Sequence, residues 1–149
     1  MLVLCGLNEN LCYRKEVFPV GPNGETNDNF VKLKNRYIFV RPGACDFIKR
    51  IQSHPRAFFG FLSSMKMVNV EELVGVFTQL DPELQPHLFK NFDKNYCSMF
   101  DDYPRYKPLQ KDHWDAIRDL NKVMADEFCM ENEIDLDRIC VIESDERKL

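Results

Sequence analysis

No apolar stretch in these 149 residues approaches the length needed to cross a bilayer, so a helical membrane span is not expected. The six cysteines (Cys5, Cys12, Cys45, Cys97, Cys129 and Cys140) contain no C-x-x-C pair, and His54, His87 and His113 stand alone. That scatter lacks the clustered ligands of a structural zinc site. There is no excess of basic charge: 20 Lys and Arg stand against 24 Asp and Glu, a net charge of −4. Bulk electrostatics therefore gives no argument for nucleic-acid contact. The short cluster Lys32-Leu33-Lys34-Asn35-Arg36 reads as a solvated turn. The chain also lacks internal repeats, low-complexity tracts and an evident linker. At this length, one domain over residues 1–149 is the expectation. Met1 runs at once into what reads as a core strand, so no signal peptide is expected to precede it. Scattered thiols, three of them inside apolar runs, point to a reducing intracellular compartment; the cytoplasm and the mitochondrial matrix both satisfy this.

What is present is an alternation of short apolar runs and helical patterns. Leu2-Val3-Leu4-Cys5 has the fully apolar character of a buried parallel strand. Gly21-Pro22-Asn23-Gly24 marks a turn, and residues 25–29 form a polar loop. Tyr37 to Val40 is a second strand, stopping at Arg41-Pro42-Gly43, where proline can open a helix. Apolar positions 44, 47, 48 and 51 predict an amphipathic helix over Ala44 to Gln52. Ala57 to Leu62 is a strand ending in Ser63-Ser64. Val68 to Leu80 is a helix with Val70, Leu73, Val74 and Phe77 on its inner face. Leu88 to Phe92 is a weaker strand signal, 101–108 is irregular, and Trp114 to Phe128 reads as a helix by periodicity. Ile139 to Ile142 is the last apolar strand. Such alternation predicts an α/β fold with a mainly parallel sheet and helices on both faces. Functional groups of such sheets gather beyond the carboxyl ends of the strands. Here those ends carry Gly6 and Asn8, Ser63 and Ser64, and Glu143 to Asp145.

Four segments in this order resemble one family. Leu2 to Leu11 is an apolar strand followed by Gly6-Leu7-Asn8-Glu9-Asn10, where haloacid-dehalogenase-like (HAD) phosphatases carry Asp-x-Asp-x-Thr. Arg41-Pro42-Gly43-Ala44-Cys45-Asp46-Phe47-Ile48 is similar to the R-P-G-x-x-x-F-L segment of the FCP1-homology group, the NLI-interacting-factor or small CTD-phosphatase branch. Gly60-Phe61-Leu62-Ser63-Ser64 resembles its strand ending in Ser or Thr. The fourth segment runs from Pro108-Leu109 through Ile117-Arg118-Asp119-Leu120, which resembles the family's K-D-L, to Ile142-Glu143-Ser144-Asp145, which resembles its D-D-S-P; between it and the third, Asn95-Tyr96-Cys97 also resembles a family segment. The resemblance spans nearly the whole chain. It implies a HAD-like, Rossmann-like three-layer sandwich.

The resemblance also implies which groups are missing. In that family the first Asp attacks phosphorus and the second acts as general acid and base. Gly6 stands at the first position and Asn8 at the second. An absent side chain cannot attack, and an amide does not titrate near neutrality. Asn10 replaces the Thr. Ser63 and Arg118 match the phosphate-holding Ser/Thr and Lys. For the magnesium site, Glu143 keeps one acid while Gly6 and Ser144 replace the others, so no Mg²⁺ or other cofactor is expected to remain. Cys5, one residue earlier, could offer a thiol nucleophile, but residues 6–14 do not resemble the phosphate loop that such thiols use. A buried small residue is the reading for Cys5. Alternative structural readings exist for the other positions. Ser63 and Ser64 could end a strand and cap the following helix, and Arg118 and Asp119 could be a solvated helical pair. Asp101-Asp102 reads as loop acidity.

Three functional readings follow. The first is a non-catalytic pseudophosphatase serving as a structural or scaffolding subunit of a larger protein or ribonucleoprotein assembly, for example a mitochondrial ribosome or respiratory complex. The second is a phospho-ligand binding module using Ser63 and Arg118. The third is a divergent Mg²⁺-dependent protein phosphatase. Family members continue past the D-D-S-P segment with another strand and a helix, whereas this sequence ends at Leu149. The strand Ile139 to Ile142 is therefore expected to present an open edge that a partner protein covers.

Overall fold

The structure is a computed structural model describing residues 1–7, 10–16, 29–111 and 115–148. Asn8, His113, the turn expected at 21–24 and residues 25–28 of the polar loop lie outside the described residues. Four strands form the central sheet in the order β6-β5-β1-β9: β1 is Leu2–Cys5, β5 Phe58–Leu62, β6 Phe89–Phe92 and β9 Ile139–Ile142. All neighbours run parallel, with Leu2 opposite both Phe58 and Ile139, and Phe59 opposite Phe89. Parallel strands are covered on both faces and so read as continuous apolar runs. β1 obeys this: Leu2, Leu4 and Cys5 are wholly inaccessible to solvent.

Side chains alternate between the two faces of the sheet, giving two cores. Val3, Cys5, Phe59, Phe61 and Phe89 face helices α1 (Ala44–Gln52) and α2 (Met67–Leu80). All four positions expected on the inner face of α2 are buried. Phe61 packs edge-on to Phe59 at 5.0 Å between centroids and also meets Phe77 at 5.7 Å. Fully burying one such ring stabilises by about 1.5–3 kcal/mol. Leu2, Leu4, Leu62 and Phe92 face the other way, against the short helices α3 (Leu120–Met124) and α4 (Glu127–Glu131). Among the described residues no helix is long and apolar enough to cross a membrane.

Two smaller sheets flank the central one, and of their strands the sequence marked only Tyr37 to Val40. β2 (Cys12–Lys15), β3 (Phe30–Leu33) and β4 (Arg36–Val40) form an antiparallel trio in the order β2-β4-β3. Its β3–β4 turn falls at Lys34, with φ of 52°, within the basic cluster read as a turn. Cys12 N donates to Leu7 O and Arg41 N to Leu11 O, at 3.1 and 2.8 Å, seating this flap beside the carboxyl end of β1. β7 (Cys97–Met99) and β8 (Ala116–Arg118) form an antiparallel pair.

The last finding corrects the helix expected over Trp114 to Phe128. That stretch holds β8, α3 and α4 instead. Asp119 accepts hydrogen bonds from the Asn121 and Lys122 amides, starting α3 directly after β8. Asp126 accepts from Phe128 N and starts α4 anew. Aspartate side chains satisfy the free amides of a first helical turn, so each one punctuates what periodicity reads as a single helix. Pro42 does not open α1: Gly43 precedes the first helical residue, with φ of 78°, a conformation that costs glycine little. Ser63 and Ser64 do not cap α2, which begins after Lys66 without a side-chain cap.

The chain path sets up the site. From β1 it passes through the flap and α1 to β5, then through α2 to β6. It then crosses back by β7, β8, α3 and α4 to β9 on the far side of β1. The chain thus leaves β1 toward β5 on one side and returns from β6 to β9 on the other, which sets a crevice beyond the carboxyl ends of β1 and β9.

Candidate functional site at the strand tips

Gly6 follows β1 directly, and its amide donates to Ile142 O at 3.0 Å, tying it to the end of β9. One residue on, Glu143 turns its carboxylate inward toward Gly6. A β-carbon on Gly6 would lie 2.5 Å from Asn10 Nδ2 and 3.0 and 3.1 Å from the two Glu143 oxygens. The absent side chain is therefore what admits the Asn10 amide and the Glu143 carboxylate.

Glu143 is held on every side. Arg118 Nε and Nη2 both reach Oε2, at 3.0 and 2.9 Å. Asn10 Nδ2 donates to Oε1 at 3.2 Å, as does Ser144 N at 3.0 Å. The Arg118 side chain is 7% exposed and that of Glu143 3%, so this is a buried ion pair. Arg118 comes from β8, where its guanidinium also donates to Cys97 Sγ at 3.5 Å. It is neither helical nor solvated, which overturns that alternative reading. Its neighbour Asp119 faces elsewhere: it accepts from Ser98 Oγ at 2.6 Å besides capping α3. Burial opposes its ionisation, but these hydrogen bonds prevail and hold the carboxyl below its usual range.

Around the pair lies a polar cavity of about 310 Å³. Ser63, Ser64, Arg14, Lys148, Asp115 and Ser144 line it together with Arg118 and Glu143. The structure thus brings Ser63, Arg118, Glu143 and Ser144 to one place, with Gly6 beneath. Ser63 is 4% exposed and its Oγ accepts from Met65 N at 3.2 Å, closing the turn after β5. Behind the lining residue Asp115, Arg147 donates to it at 3.3 Å, to Asp145 at 2.8 Å and to Leu109 O at 2.9 Å. Arg147's hydrogen bonds draw the Asp145 carboxyl down to about 2. Arg14, Asp115 and Lys148 escaped sequence reasoning because nothing local marks them; the fold alone carries them to the cavity.

The chemistry open to these groups is narrow. Gly6 offers no nucleophile. The Cys5 thiol beside it is wholly inaccessible, and burial, then the negative charge of Glu143, pushes it up to about 12. Such a thiol stays protonated at neutral pH and is a poor nucleophile. Of the expected magnesium donors only Glu143 carries a carboxylate, and both its oxygens are engaged by protein groups. Among the described residues, no three His, Cys, Asp or Glu side chains converge as a metal site would require. The sequence matches no family model, and no curated protein matches it.

Proposed function

We propose that this chain has a HAD-like fold of the FCP1-homology type that has exchanged its reaction centre for a structural ion pair, and that it serves as a non-catalytic subunit of a larger assembly. One observation carries the reading: the space next to Gly6, where the family's nucleophile would begin, is filled by Glu143, and Glu143 is neutralised by buried Arg118. A phosphoryl group would have to displace a carboxylate that already holds the arginine. A hard cation would have to compete with that arginine for the same oxygens. The residues therefore do not fit a Mg²⁺ site, and no metal-dependent step is assigned to them. The parallel sheet, with β1 between β5 and β9, supports the α/β part of this reading.

The assembly surface in this reading is the free edge of β9. β1 is its only strand neighbour among the described residues. Its four residues carry no charge, Ile142 is 36% exposed and Cys140 is exposed. An uncharged, uncovered edge offers backbone hydrogen bonds and apolar contact to another chain. The test is thiol labelling with a maleimide. Cys140 should react fast in the purified protein and be protected in native extract, where the chain should elute within a large stoichiometric complex. Free elution at the monomer position, with Cys140 equally reactive in both samples, would sink the proposal. In a parallel assay, a generic phosphomonoester with Mg²⁺ should not be turned over above the level of Glu143→Gln.

The cavity's cations favour one second reading, a phospho-ligand module. Arg14 and Lys148 line it beside Arg118, with the Ser63 and Ser64 hydroxyls nearby. That reading requires phosphorylated but not unmodified peptides to bind, with loss of binding in Ser63→Ala and Arg14→Ala.

A further inference from the structure

At the opposite end of the sheet a second cavity of about 300 Å³ opens between the end of α1, the start of β5, the 86–88 turn before β6, and α4. Its walls are aromatic. Phe58 and Phe128 meet edge to face, with centroids 4.9 Å apart at 90°, and the buried Phe59 also lines the cavity. Its ionisable groups are Lys90, His54 and His87, beside the Gln52 amide. Lys90 Nζ lies 4.2 Å from the Phe128 centroid. His54 accepts the Arg56 amide on Nδ1 at 3.2 Å, which leaves Nε2 as a donor in the neutral ring. His87 stands on the facing turn, and that turn is fixed to α1: Gln52 donates to Gln85 O at 3.1 Å and accepts from Gln85 N at 3.4 Å. No acidic side chain is among the described residues lining this cavity.

An apolar cleft with a few convergent polar groups is the usual form of a small-molecule site. A dry cavity of about 150 Å³ accommodates benzene, so this one holds one ring with a short substituent or two fused rings. Its charge selects further. Lys90 over the Phe128 ring is a cation without a carboxylate among the described residues lining the same cavity, and a ligand carboxylate would turn that contact into a charge-assisted hydrogen bond. A neutral ring forgoes that gain, and an aromatic cation meets repulsion. We propose that this cavity binds a small arylcarboxylate, its ring against Phe58 and Phe128 and its carboxylate on Lys90 and His54. The site lies away from the strand tips and shares no residue with the Arg118–Glu143 cavity.

The test is an NMR titration of the isotope-labelled full chain with naphthoate and, separately, with the neutral analogue naphthalenemethanol. Naphthoate should shift the amides of Ala57, Phe58, Leu88 and Phe128 saturably. It should bind about tenfold tighter than the alcohol, the gain of one charge-assisted hydrogen bond. Lys90→Gln, shown by its melt to be folded, should remove that preference and leave the alcohol's affinity unchanged. Equal affinities for the two ligands in the parent protein would overturn the proposal without reference to any variant. So would saturable shifts that map elsewhere, no saturable shift at millimolar ligand, or a preference that survives in Lys90→Gln.

Discussion

At the carboxyl ends of the strands, Arg118 meets Glu143 at 2.9 Å with both side chains almost sealed from solvent; at the amino ends, Lys90 rests on the Phe128 ring in a cavity lined by no acid among the described residues. The first cation is part of the fold, because its charge is matched by a protein carboxylate that it also orients. The second is matched by a ring quadrupole and remains open to a ligand. A cationic position matched to a motif is thus no guide to binding until its partner is known: Arg118, which the family resemblance casts as a phosphate holder, is the more committed of the two.

Breaking the first arrangement should have the largest effect. Arg118→Met leaves Glu143 buried without a counter-charge and should lower unfolding stability by about 3–5 kcal/mol. Glu143→Leu should cost a similar amount for the reverse reason. The double variant should lie nearer the parent than either single change, as read by chemical denaturation. Additive losses would mean that the pair does not act as a unit.

Gly6→Ala tests the space the pair occupies. Its β-carbon would meet Asn10 and Glu143 within 3.1 Å, so a loss of about 1–3 kcal/mol is expected. Gly6→Asp should cost more, since it adds a second carboxylate beside Glu143, and it should not generate phosphatase turnover. Turnover in Gly6→Asp would show that Arg118 and Glu143 can still reopen as a phosphoryl site.

The pH dependence of stability is next in size. Asp145 at about 2 and Asp119 both lie below their usual range in the folded chain. Lowered folded-state values stabilise above the unfolded value of about 3.9 and lose that contribution as pH falls through the folded one. Stability should therefore drop between about pH 4 and pH 2. Asp145→Asn should flatten that slope in thermal melts followed across the window. On the alkaline side the sign is reversed. Cys5 at about 12 and Cys12 at about 11 are raised by burial, so stability present below about pH 9 should fall as pH climbs toward those values.

The smallest effect belongs to the open end of the sheet. Lys90→Gln removes one cation–π contact and should change stability by only about 0.5–1 kcal/mol. A loss as large as that of Arg118→Met would mean that Lys90 is structural too, and the contrast between the two ends would disappear.

Much of this was written locally. Leu2 to Cys5 and Ile139 to Ile142 are uninterrupted apolar runs, and they occupy sheet positions that local pattern alone suffices to recognise. α1 and α2 declared themselves by spacing, because an amphipathic helix buries one stripe whatever it packs against. In the flap only β4 was marked, by the apolar run Tyr37 to Val40; β2, β3 and the β7–β8 pair left no such mark: Cys12–Lys15 carries two exposed cations, and three-residue strands have too few positions for a period to register. Trp114 to Phe128 misled because two capping aspartates interrupt a pattern that hydrophobicity alone runs together.

The sequence by itself determined that Gly6 and Asn8 cannot perform nucleophilic or acid–base chemistry, since a missing or amide side chain is a local fact. Only the tertiary structure decided what takes that place. Asn10 and Glu143 are 133 residues apart, and Arg118 and Glu143 are 25 apart. No local pattern couples such residues. The parallel register that sets Cys5 beside Ile142 brings them together, and burial then makes a charged pair the tolerable way to keep an arginine and a glutamate there.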